Sequence, residues 1–200
     1  MGREGHVDES KRATLRRFAA LGASSPLVGF ARESESDAPD ALLGYVAATP
    51  GAHFSKVRDD LQLGTGETQH HLRRLEREGA VESREDGEYR RYFPADRFSE
   101  FEQVALGYLR RETPRGMVVA LLREPDATGT ALADELGVSA PTVSKCAKQL
   151  ETAGLLSRTD GYDLERPETL LLLLVQHADS FGPEAARLAA DADDIVSYDP

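Results

Sequence analysis

Residues 61–81 read L-Q-L-G-T-G-E-T-Q-H-H-L-R-R-L-E-R-E-G-A-V, and residues 136–156 read L-G-V-S-A-P-T-V-S-K-C-A-K-Q-L-E-T-A-G-L-L. In each, a tight turn leads into a stretch of helical period that stops at a glycine, Gly79 or Gly154, placed as a residue just past a helix end. Thr65 and Ser139 are the expected N-caps, for helices over about 66–78 and 141–153. With about 100° per residue and Leu72 as origin, Thr68, Leu75 and Gly79 fall within about 60° of it. Val143, Ala147, Leu150 and Gly154 make the same face in the second stretch. The opposite faces carry Gly66, Glu67, His70, Arg73, Arg74 and Arg77, and Pro141, Thr142, Lys145, Lys148, Gln149 and Thr152. Both helices therefore bury one edge and offer the other, polar and cationic, to something outside.

The two stretches belong to a longer repeat. Sliding the chain by 75 positions aligns residues 40–81 with 115–156 without a gap, with 7 of the 42 pairs identical, among them Pro50/Pro125, Asp59/Asp134, Leu75-Glu76/Leu150-Glu151 and Gly79/Gly154. Apolar class matches further at Leu42/Met117, Leu43/Val118, Val46/Leu121, Val57/Leu132, Leu63/Val138 and Val81/Leu156. Class matching at fixed spacing means that both halves bury the same faces. Each half spells helix (40–49; 114–123), helix (56–61, capped by Ser55; 130–136, capped by Thr128), short turn, helix, then two strand-like runs around a turn dipeptide, Asp86-Gly87 or Asp160-Gly161. That order is a winged helix-turn-helix. The predicted fold is mainly α with small β-hairpin wings, as two winged helix-turn-helix domains in tandem. The expected division is an N-terminal helix and polar linker (1–38), a first domain (39–95), a linker helix (96–112), a second domain (113–165) and a C-terminal helix with an acidic tail (166–200).

A third helix with amide, hydroxyl and cationic groups along one edge suits the major groove, where its first residues read base edges and later cations meet phosphates. The H-L-x-x-L-E-x-x-G stretch from His71 to Gly79 is the most telling motif. The sequences 61–81 and 136–156 resemble winged-helix transcription regulators of the MarR and ArsR type from archaea and bacteria, over about 40–94 and 115–165. The resemblance implies recognition helices at 66–78 and 141–153, with wing residues Arg84, Arg90 and Arg91 at the minor groove or backbone. The candidate DNA-binding residues are Thr65, Gly66, Glu67, Gln69, His70, Arg73, Arg74, Arg77, Arg84, Arg90 and Arg91, then Thr142, Ser144, Lys145 and Lys148 in the second domain. The second wing departs from the pattern, being short and carrying Asp160 and Asp163 beside Arg158. This puts its DNA role in doubt and leaves a dimer or partner module as the alternative.

Composition bounds the rest. The 200 residues hold 35 acidic against 24 basic side chains, a net charge of −11, with one cysteine. Twenty of the basic residues are Arg and four are Lys. Scarce Lys with abundant carboxylate resembles the composition of organisms with molar cytoplasmic salt, where a Debye length of about 3 Å screens the surface charge. In low salt the same charge repels phosphates. A lone cysteine excludes a disulfide framework and a Cys-rich zinc site. Cys146 reads as a small buried residue rather than a redox sensor. His53, His70 and His71 lack the carboxylate or thiol that would complete a metal set. No phosphate-binding loop or nucleophile elbow is present, so neither catalysis nor a cofactor is expected. Tyr45, Tyr89, Tyr92 and Phe93 are assigned to core or wing packing.

Arg16-Arg17-Phe18 before the apolar, small-residue stretch 19–31 is similar to a twin-arginine export signal. Pro26 inside the stretch and Asp8 and Glu9 upstream oppose it. The preferred reading is a cytoplasmic amphipathic helix over 9–21. Residues 97–111 form a linker helix offering Phe98, Phe101, Leu106 and Leu109. A helix from Pro167 to about Ser180 is apolar all round at Leu170–Val175, which should be covered on more than one side. A second chain is the expected cover, with packing against the linker helix as the alternative. The sequence thus predicts a cytoplasmic, cofactor-free reader of double-stranded DNA that regulates transcription as a homodimer through its C-terminal and linker helices, without a membrane. The competing class is a tandem winged-helix scaffold for protein partners in a chromosome-organising or transcription-initiation complex.

Overall fold

The computed structural model describes residue 11, residues 13–20 and residues 38–190. The chain divides into two compact units, 1–98 and 99–200.

In the first unit, residues 13–20 form helix α1. Then come α2 (Ala38–Ala48), β1 (Ala52–His53), α3 (Phe54–Asp60), α4 (Thr65–Arg77), β2 (Val81–Asp86) and β3 (Tyr89–Pro94). Leu42 and Val46 of α2, Val57 of α3 and Leu72 of α4 are fully buried in one apolar core with Leu61. The Tyr45 hydroxyl donates to Asp60 at 2.7 Å, tying α2 to the end of α3. The strands form one antiparallel sheet in the order β1-β3-β2. β2 and β3 pair from Val81↔Pro94 to Asp86↔Tyr89. The hairpin turn is therefore Gly87-Glu88, one residue beyond the expected dipeptide, with Gly87 at φ +61° and Asp86 still paired. β1 was not legible in the sequence. At two residues it has no periodicity, and it exists through its pairing with Arg91 and Tyr92.

Two caps differ from expectation, and the repeat explains both. The N-cap of α3 is His53, whose Nδ1 accepts from the Lys56 N–H at 3.3 Å; Ser55 lies inside the helix. The N-cap of α4 is Gly64, whose N–H is held by the Glu67 carboxylate at 3.3 Å, and Thr65 is the first helical residue. Seventy-five residues on stand Thr128 and Ser139, whose hydroxyls cap the equivalent helices of the second unit. The helix ends coincide too. Gly79 and Gly154 both sit at φ +70°. The N–H groups of Ala80 and Leu155 close back on the carbonyls of Leu75 and Leu150 at 2.9 Å, a Schellman closure.

The second unit runs α5 (Glu100–Leu109), α6 (Glu112–Arg123), α7 (Gly129–Leu136), α8 (Ala140–Thr152), β4 (Leu156–Ser157), β5 (Asp163–Leu164), α9 (Pro167–Gln176), α10 (Ala178–Phe181) and α11 (Pro183–Ala190). Gly116 brings α6 against α7, since a Cβ there would fall 2.6 Å from Leu136 Cδ2. The linker helix is shorter than expected and ends at Leu109; Ser99 caps it reciprocally with Glu102. It is part of the second unit, packed on α6 and α9. The helix from Pro167 ends at Gln176, and His177 and Gly182 separate it from α10 and α11. Its Leu170, Leu171, Leu173 and Leu174 are buried within the unit, against α5, α6, α10 and α11. The intramolecular alternative therefore covers the apolar run, and Leu172 alone of it is exposed, at 53 %.

In α1, Leu15 is buried in the first core and Phe18 meets Tyr45 edge to face at 5.1 Å. The Arg16-Arg17-Phe18 triplet thus lies on a helix docked to a folded domain. The apolar stretch 21–31, the polar linker up to residue 37 and the acidic tail 191–200 lie outside the described residues.

Between second and third helices, Gln62 occupies the left-handed region at φ 54°, where the second unit has Gly137 at φ 63°. A side chain there is strained by roughly 1 kcal/mol relative to glycine. Gln62→Gly is expected to stabilise the first domain by about 0.5–1 kcal/mol, read as a higher urea midpoint at unchanged slope.

Candidate nucleic-acid interface

The third helix of each unit divides as its sequence requires. In α4, Thr68, Leu72 and Leu75 are buried. The Thr68 hydroxyl is satisfied by the Gly64 carbonyl at 2.9 Å. Thr65, Gly66, Gln69, His70, Arg73 and Arg77 are exposed. In α8, Val143, Cys146, Ala147 and Leu150 are buried, while Thr142, Ser144, Lys145 and Lys148 are exposed. Each helix thus presents one continuous ridge.

The cations on the first ridge differ in freedom. Among the described residues Arg73 makes no ion pair, and Arg77 Nε reaches only the Arg73 carbonyl, at 3.3 Å. Arg74 is half-buried and held by Glu78 at 2.8 Å. Glu67 is half-buried, occupied by the Gly64 N–H and, at 3.6 Å, by the Lys11 ammonium. Gly66 has open space where a Cβ would stand, so nothing inside the domain requires glycine there.

The wing stands beside this ridge through one carboxylate. Glu76 Oε1 accepts from the Ser83 hydroxyl at 2.5 Å and from Arg90 Nη2 at 2.9 Å, and Arg90 Nε also donates to Ser83 at 2.8 Å. Arg90 is exposed but positioned, and Arg84 is half-buried. The second unit repeats the tie: Glu151 accepts from Arg158 Nε at 2.9 Å. Sequence reasoning missed this role for Glu76. The signal was there, because a buried face accounts for the identical Leu75/Leu150 but not for the identical Glu76/Glu151.

Arg91 is corrected outright. Expected at the groove, it is 3 % exposed, with Nε paired to Asp86 and Nη1 donating to the Gly51 carbonyl at 2.8 Å. Its position on β3 faces inward at the root of the wing, where it fastens the hairpin to the loop before β1. Among the aromatic residues, Tyr45, Tyr92 and Phe93 are buried as expected, and Phe93 lies 6.3 Å from Phe98. Tyr89, on the wing, is 47 % exposed and packs its ring, tilted, against His53 at 4.9 Å.

Burial, with Arg91 and Lys56 nearby, lowers the pKa of His53, which keeps its Nδ1 available as a cap acceptor at neutral pH. Burial also lowers that of His71, whose Nδ1 has no hydrogen-bond partner among the described residues. His71 corresponds in the repeat to Cys146, whose thiol burial pushes up to about 11. A thiol so placed is protonated and poorly nucleophilic near neutrality. Among the described residues no three or more His, Cys, Asp or Glu side chains are grouped to hold a metal ion, and no helix is long and apolar enough to cross a membrane.

Residues 36–106 match the family model of an N-terminal HTH domain, and residues 115–164 match that of the MarR family. The fold and these matches define two winged helix-turn-helix domains in tandem, the second of them similar to the MarR family. Over 121 residues the chain is 29 % identical to an uncharacterized HTH-type transcriptional regulator of Methanocaldococcus jannaschii, an alignment covering 60 % of this chain and 30 % of that protein. The chain thus spans under a third of the length of the curated relative it matches.

Arg91→Ala removes the buried guanidinium that pairs with Asp86 and donates to the Gly51 carbonyl, and is expected to destabilise the first domain by about 3 kcal/mol, whereas Arg73→Ala leaves the denaturant midpoint unchanged. Cys146 is expected to resist iodoacetamide in the native protein at pH 8 and to react promptly in urea; equal rates would show an exposed thiol.

Proposed function

We propose that the chain regulates transcription by binding double-stranded DNA in the cytoplasm, with α4 in the major groove and the β2–β3 wing on the adjacent backbone. One observation carries this reading: the exposed ridge of α4 combines Gln69 and His70, which have base-edge hydrogen-bonding capacity, with Arg73 and Arg77, held by no carboxylate among the described residues. Gly66 at the leading turn supports it. A glycine inside a helix is unfavourable by roughly 0.5–1 kcal/mol relative to alanine, and a bare backbone there permits close approach of a base or phosphate. Thr65 and Glu67 complete the leading turn, and Arg74, Arg84 and Arg90 flank it. In the second domain, Thr142, Ser144, Lys145 and Lys148 form the corresponding ridge. A homodimer through α5 and α9 belongs to this reading, supported by Leu172, the one exposed leucine of α9, and by the fit of two-fold proteins to palindromic sites.

A second reading applies to the second domain, which would then hold a protein partner as part of a scaffold. It is favoured by a wing of only two residues per strand, with Arg158 engaged by Glu151 and with Asp160 and Asp163 exposed. Phosphates approaching there meet carboxylates first.

The test is equilibrium binding of the full-length protein to duplexes it selects from a random pool, across a potassium chloride series. Arg73→Ala with Arg77→Ala is expected to weaken binding to all sequences and to reduce the slope of log K against log salt by about 2. Gln69→Ala or His70→Ala is expected to change which sequence is preferred instead. Unchanged affinity and slope in the arginine pair would overturn the assignment of α4.

A further inference from the structure

The helix α1 lies before residue 36, where the match to the N-terminal HTH model begins, so it is an addition to the module that the match defines. It is docked by specific contacts. Leu15 is buried, and the Phe18 ring meets Tyr45 of α2. Lys11, one turn before Leu15 on the same face, brings its ammonium to 3.6 Å from Glu67. Glu67 is the third residue of α4 and the one carboxylate in its first turn. It caps the helix through the Gly64 N–H, but an uncompensated carboxylate at this end would also oppose the approach of phosphates. Lys11 compensates it.

The outward side of α1 carries Arg16 and Arg17, both exposed, with the Arg17 guanidinium 6.0 Å from the Phe18 ring. They lie in sequence between the buried Leu15 and the Phe18 ring that dock α1, and the Lys11 ammonium touches the leading turn of α4. A helix seated in a major groove about 12 Å wide is bordered by phosphates on both sides, and exposed cations on an element that touches its leading turn are the ones nearest to meeting them.

We infer that α1 is an additional DNA-contacting element of the first domain: Arg16 and Arg17 engage backbone phosphates beside the groove that α4 enters, and Lys11 neutralises Glu67 so that the leading turn can approach. The inference rests on the assignment of α4 as the groove-reading helix. Arg16 and Arg17 supply binding without sequence preference, because phosphates carry none. Lys11 acts through Glu67 and is a positioning residue.

The experiment measures binding of the full-length protein and its variants to a labelled random-sequence duplex across a potassium chloride series. Arg16→Ala with Arg17→Ala is expected to lower the log K against log salt slope by about 2 and to weaken binding roughly tenfold at the lowest salt, while Arg16→Lys with Arg17→Lys keeps the slope. Lys11→Ala is expected to weaken binding about threefold, and to have no effect in a Glu67→Gln background. If the alanine pair binds as the wild type does while Arg73→Ala with Arg77→Ala loses affinity, α1 is no part of the interface and the reading of α4 stands. If the lysine pair loses as much as the alanine pair, the role of charge is overturned. If the wild type binds no duplex, both readings fall.

Discussion

The burial of one edge of α4 governs what the first domain offers to its surroundings. Thr68, Leu72 and Leu75 enter the core with Leu42, Val46 and Val57. With the helix rotation fixed by those contacts, Gln69, His70, Arg73 and Arg77 have only solvent to face. No specific polar interaction is needed to aim them. Apolar burial is worth roughly 25 cal/mol per Å², and rotating the helix to hide the cations would expose the leucines and bury unpaired charge, two penalties of the same sign. The second unit obeys the same constraint with Val143, Ala147 and Leu150.

Carboxylates then divide the arginines into those available to a ligand and those held by the fold. Asp86 takes Arg91 into the interior, Glu78 holds Arg74, and Glu76 holds Arg90 beside Ser83. Arg73 and Arg77 remain. In a protein with a net charge of −11, such partition is what lets a cationic ridge exist at all. Acid and base are sorted by position, and the ridge is left nearly without carboxylates.

The fold was legible because periodicity and punctuation agreed. The leucines at 72 and 75, the glycines at 79 and 154 and the strand-like runs about Gly87 each have one physical reading, and the 75-residue register doubles the sample. What escaped was information that resides in contacts. β1 is defined by its partner strand. The burial of Arg91 follows from the side of β3 on which it falls, and Arg84 to Arg91 shows no strict alternation that would reveal it. His53 as a cap was hidden by a better-known capper two residues later, although its register partner Thr128 points to it. The interruption at His177 carries no proline or glycine, and the sequence reads straight through it.

Gly116 has a consequence for how a duplicated chain folds. Its register partner in the first half is Ala41, fully buried. A methyl group that the first half accommodates would press on Leu136 in the second. Tandem copies are prone to exchange equivalent segments during synthesis, forming chimeric intermediates. Here an opening helix of the first kind, set into the second unit, would have to turn aside the end of the half-exposed Leu136 side chain, so a difference of one carbon atom gives a small bias toward pairing like with like.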